Sequence, residues 1–111
     1  MLPENITAIL ARNEEWSGEA ATEPYEAGWA REAVIFVRAL KQPVGPAPMA
    51  RVEISPDGMH WIPEGTEMQM PTEKDGIAVA RIARFGSWLR VSASFEPGAS
   101  CTVLVTAHLK A

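Results

Sequence analysis

From residue 50 onward, apolar and polar positions take turns along the chain. Ala50, Val52 and Ile54 alternate with Arg51 and Glu53, and Met68 and Met70 with Glu67 and Gln69. Leu89, Val91, Ala93 and Phe95 alternate with Arg90, Ser92 and Ser94. Cys101, Val103, Val105, Ala107 and Leu109 alternate with Thr102, Thr106, His108 and Lys110. A period of two is that of a strand with one face on a core and the other in water. Ile77 to Arg84 is a further expected strand, diluted by Ala78, Ala80 and Ala83. Between these runs stand turn signals: Ser55-Pro56-Asp57-Gly58, Asp75-Gly76 and Glu96-Pro97-Gly98-Ala99. Proline presets φ and glycine accepts a positive φ, so each has a mechanism for reversing the chain. The last turn, set between the two cleanest runs, predicts a hairpin. Pro63 marks the end or the edge of its strand.

The first 40 residues are harder to divide. Ala33 to Leu40 is apolar on both faces and rich in Val, Ile and Phe, which suits a central strand over Glu32–Lys41. A helix competes over 24–40: Pro24 suits a first helical position, and Tyr25, Trp29, Ala33 and Phe36 nearly share a face. Gly28 and the β-branched pair Val34-Ile35 favour the strand. Ile6 to Ala11 fits either period and is read as a strand. Pro43, Gly45, Pro46 and Pro48 rule out a helix near 42–48 and make that segment a loop inside one domain. Short strands with a turn after most of them predict an all-β fold: a single antiparallel β-sandwich domain over 1–111, jelly-roll or immunoglobulin-like.

Composition narrows the class without naming a function. In 111 residues, 47% are hydrophobic and 22% charged, which argues against disorder, collagen and coiled coil. The formal net charge is −4 and the ten basic residues are scattered, so neither nucleic acid nor an anionic membrane is an expected partner. One cysteine, Cys101, allows no intrachain disulfide. The N-terminus has no basic region followed by an apolar stretch, so no secretion signal is expected. Met1 reads as a natural start. The expectation is a complete small protein, cytoplasmic or assembled into a particle such as a virion.

No catalytic motif of the nucleophile-elbow, phosphate-loop, dinucleotide or zinc-protease type is present, so the chain reads as non-enzymatic, with no catalytic residue, metal site or cofactor. His60, beside a turn, and His108, on the polar face of the last run, are expected in solvent. Cys101 is expected in the core. Asp57, Glu73 and Asp75 sit in turns without the spacing of a calcium loop. Glu14, Glu15, Glu19, Glu23 and Glu26 suggest a solvated edge, or a surface that meets an arginine-bearing neighbour.

The tryptophans say more. Trp29 and Trp61 are expected in the core or at its rim, with Trp61 capping one end of the sandwich. Trp88 falls on the face opposite Leu89 and Val91, which suits a subunit interface first, the core of a second sheet next and a ligand platform last. Interfaces favour Trp, Met and Arg, and sugar rings stack on exposed aromatic planes.

Two segments carry a resemblance. Val52-Glu53-Ile54-Ser55-Pro56-Asp57-Gly58-Met59-His60-Trp61 contains S-x-D-G-x-x-W, and Phe85-Gly86-Ser87-Trp88-Leu89-Arg90-Val91 follows it. The pair resembles small β-sandwich modules of bacteriophage virion and tail proteins and of bacterial surface proteins. With their surrounding strands they cover about half the chain. The resemblance implies a structural role in an assembly and transfers no catalytic residue. Two functions follow as expectations. The first is a structural or assembly protein, such as a virion decoration or accessory protein, that forms a homo-oligomer or joins a larger assembly. The second is a carbohydrate-binding module with a glycan partner. Trp88, Trp61, Arg90 and Met59 are the candidate interface or ligand residues, with Glu53 as a partner for hydroxyl groups.

Overall fold

The computed structural model describes residues 5–111; the expectations placed on Met1 to Glu4 lie outside it. Nine strands follow one another: β1 (Asn5–Trp16), β2 (Glu19–Ala21), β3 (Tyr25–Glu26), β4 (Glu32–Ala39), β5 (Met49–Ser55), β6 (Ile62–Gln69), β7 (Ile77–Ala83), β8 (Trp88–Ser94) and β9 (Cys101–Lys110). They form two antiparallel sheets. One has the order β1-β9-β4-β7; the other has β2-β8-β5-β6, with β3 also pairing β8. The predicted all-β class holds, and the 24–40 segment is strand, turn and strand instead of helix. Ile35 and Val37 are fully buried at the centre of one sheet, where β-branched side chains pack well.

The inner faces are the alternation made solid. Leu89, Val91 and Ala93 of β8 and Val103, Val105 and Ala107 of β9 have no exposed surface. With Ala50, Val52, Ile35, Val37, Met68 and Met70 they join a single core. Trp29 packs against that core half-buried, at the rim as expected, and Cys101 is inside it. Burial pushes the Cys101 thiol pKa up, which keeps it an inert apolar residue.

One expectation fails. β8 and β9 are not a hairpin: β8 pairs β2, β3 and β5, while β9 pairs β1 and β4 in the other sheet. Six residues separate Ser94 from Cys101, enough to span ~20 Å when extended, about twice the ~10 Å between packed sheets. The connection therefore arches over the sandwich edge. It is held there by Phe95 N–H donating to the Gly18 carbonyl (2.8 Å) and by the Val44–Ser100 bridge. The chain leaves β1 for β2 at the same Gly18 corner. As a result β1 then β2 run beside β9 then β8, and β4 then β5 beside β7 then β6. Among the described residues, consecutive strands pair directly only at β5–β6.

The mixed periodicity of the first strand has a local cause. Between Ile9 and Ala11 the register slips against Thr106 and Val105, so Leu10 is an extra residue. The bulge turns both Leu10 and Ala11 inward. A second slip places Asn13 at φ +50, a conformation asparagine tolerates.

Candidate functional site

The two outer faces present the surface chemistry. On the five-stranded sheet the register sets three outward rows: Trp88 beside Ser55, Arg90 beside Glu53, and Ala21, Ser92, Arg51 and Glu67 in line. The strict wet-face reading of β5 needs correction, because Glu53 is only 8% exposed. Arg90 Nε–H donates to its Oε1 at 2.9 Å, which gives the buried carboxylate a partner. The Arg90 guanidinium in turn lies 4.5 Å from the Trp61 ring centroid, a cation–π contact. Trp61 therefore lies against an outward side chain of β8.

Arg51 reaches from β5 across β8. Its guanidinium donates to Ser94 Oγ at 3.3 Å and lies 4.0 Å from Glu19 on β2, while Ser94 Oγ donates to Glu19 (2.9 Å). One member of the acidic stretch thus meets an arginine of its own chain. Glu14, Glu15, Glu23 and Glu26 are exposed, as expected of a solvated edge. Ser92 is 4% exposed, and its hydroxyl has no hydrogen-bond partner among the described residues. Glu19, Arg51, Glu53, Arg90 and Ser92 line a shallow groove of about 230 Å³. Beside it β6 bulges at Glu64–Thr66, where Gly65 takes φ +114 with open space around it.

The S-P-D-G turn builds the end of this face. Ser55 Oγ accepts from the N–H groups of Asp57 (3.2 Å) and Gly58 (2.8 Å) and donates to Asp57 Oδ1 (2.9 Å). Asp57 Oδ1 also accepts from His60 N–H (2.9 Å) and Met59 N–H (2.8 Å), and its Oδ2 lies 2.6 Å from His60 Nδ1. Those bonds, first the His60 amide and then the Met59 amide, hold the Asp57 carboxyl far below the usual carboxylate range. Gly58 sits at φ +79, where a Cβ would come within 3.1 Å of the Trp88 ring. The turn thus rests on Trp88 and leaves it half-covered. Met59 is 73% exposed and His60 is open to solvent. The structure therefore brings Trp61, Trp88, Arg90 and Met59 to one end of one sheet. Alternation signals that Ser92 points outward; its burial and missing partner are visible only in three dimensions.

The four-stranded sheet differs. Register aligns Ile9, Thr106, Phe36 and Val79 across all four strands, and Leu104, Arg38 and Ile77 across three. Ile9 is 46%, Val79 41% and Ile77 62% exposed. His108, expected in solvent, is instead half-buried: its ring meets Phe36 edge-on at 5.3 Å, and Nδ1 lies 3.2 Å from Thr7 Oγ1. Asp75 accepts from Arg38 at 2.8 Å, and that bond draws its pKa down. No cluster of three metal-ligating side chains occurs among the described residues, and none of their helices is long and apolar enough to cross a membrane.

In its fold the chain is similar to a phage-derived protein. The crystal structure of the SPBc2 prophage-derived protein YomS superposes with a TM-score of 0.66 at 8% identity, covering 100% of this chain and 96% of that one. At that identity the likeness is one of fold. No protein-family model and no curated protein matches the sequence.

Proposed function

We propose that this chain is a non-enzymatic structural protein of a phage-type particle, and that it associates with a second copy through the outer face of its four-stranded sheet. The observation that carries the reading is the exposure of Ile9, Val79 and Ile77 around Phe36 and Leu104 on one sheet face, with Thr106 and the Asp75-paired Arg38 as the polar members of the two rows. Four strands at ~4.8 Å spacing and about seven residues at ~3.4 Å give a face of roughly 450 Å². Two copies then bury roughly 900 Å² before side-chain relief is counted, which is the size of a weak, concentration-dependent contact. The same patch on both copies suits a two-fold pair. The paired running order of β1-β2 with β9-β8, and of β4-β5 with β7-β6, supports a jelly roll, an architecture of viral capsid and lectin domains. The fold shared with a prophage-derived protein supports the phage setting. The first contact falls here and not at Trp88, because the Gly58 turn already covers part of that ring.

The test is solution mass by light scattering after size exclusion, over a range of protein concentration and salt. The expected result is a dimer or a larger closed oligomer that the double variant Ile77→Lys, Val79→Lys converts to monomer. A wild type that stays monomeric at the highest concentration overturns the reading.

A further inference from the structure

The groove on the opposite face has its own chemistry, independent of self-association. Its charges cancel: Glu19 and Glu53 face Arg51 and Arg90. A lining of no net charge does not select an ion. It offers instead closely set donors and acceptors in planar pairs, carboxylate beside guanidinium, which match neighbouring hydroxyl groups on a ring. Arg90 spends its Nε–H on Glu53 and stacks against Trp61, so a polar pair and an aromatic ring adjoin at one end.

Ser92 is the second observation. A buried hydroxyl without a partner calls for an explanation. Its neighbour across the strands is Arg51, whose side chain passes over β8 toward Glu19 and Ser94. That cover is weakly held, by one 3.3 Å hydrogen bond and a 4.0 Å ion pair. Ser92 lines the same groove, and no side chain among the described residues engages its hydroxyl.

We propose that this groove binds a neutral oligosaccharide, with Arg90, Glu53 and Ser92 bonding to ring hydroxyls, Trp61 packing on a ring face and Arg51 moving aside on binding.

The full chain, ¹⁵N-labelled, is titrated to millimolar concentration with chitotriose, maltotriose and mannotriose. Heteronuclear spectra follow the Trp61 indole N–H, the Arg90 Nε–H and the Ser92 amide. The expected result is saturable shifts at those groups with at least one trisaccharide. Ser92→Ala, which removes an unpaired hydroxyl from a folded site, weakens binding by ~5-fold, the worth of one net hydrogen bond. Trp61→Ala weakens it further, and Trp61→Phe restores part of the loss. The proposal is overturned if all three sugars leave these groups unshifted, or if Ser92→Ala and Trp61→Ala bind as the wild type does. The readout is local to the groove, so a monomeric protein that binds sugar and a dimer that does not are distinguishable results.

Discussion

The two outer faces of this sandwich come from strands with the same alternation, yet they differ in kind. Across the four-stranded sheet two outward rows carry an apolar patch, with Phe36 central and Ile9, Val79 and Ile77 open, interrupted by Thr106 and Arg38. Across the five-stranded sheet they are ionic and hydroxylic, with Glu53 buried against Arg90, and Ser92 buried alone. The first face lowers its free energy by meeting another apolar surface. The second is already paired within itself, apart from one hydroxyl. That contrast is the ground for proposing self-association on one side of the domain and a small polar ligand on the other.

The inner faces should show no such contrast. Ile35→Ala in one sheet and Leu89→Ala in the other should each cost about 2–5 kcal/mol in denaturant melts, since both side chains are fully buried. A marked inequality would mean that one sheet does not share the common core. On the outer faces the effects should diverge. Glu53→Gln leaves Arg90 short of its charge partner in a mostly buried setting and should lose about 2 kcal/mol, read by thermal melting. The pair Ile77→Lys, Val79→Lys should change monomer stability by less than ~1 kcal/mol while abolishing self-association. Ser92→Ala should be neutral or raise stability by up to ~1 kcal/mol, because it deletes an unsatisfied group.

A pH series probes the turn that closes the polar face. The folded pKa of Asp57 is depressed, so its contribution is fully present above the ordinary value of 3.8 and is lost as pH falls toward the lower folded value. The wild type should weaken progressively below that point, and Asp57→Asn should flatten this part of the profile. Asp75, drawn down by Arg38, adds to the same slope in the same direction. An unchanged slope in Asp57→Asn would show that Asp57 titrates alike in the folded and unfolded chain and that the turn does not depress it.

Much of this was legible in the chain. Val103, Val105 and Ala107 announce a half-buried strand through period two alone, and Asp57-Gly58 announces its turn through the φ each residue accepts. The β1 signal was blurred because a bulge at Leu10 breaks the period. The β8–β9 link was misread because an inward-facing strand has the same pattern whether its successor pairs beside it or lies across the core. Residue type marks out Trp61, Trp88, Arg90 and Met59, and spacing alone does not reveal that they gather at one end.

Local sequence, then, determined the strands, their inward faces and the turns, because backbone sterics and side-chain periodicity act over a few residues. The tertiary structure decided which strands pair, which sheet receives which outward row, and that Glu53 and Ser92 are buried while Ile77 is open. Those outcomes depend on contacts between residues dozens of positions apart, such as Glu53 with Arg90 and Ile9 with Thr106, and no local pattern encodes them.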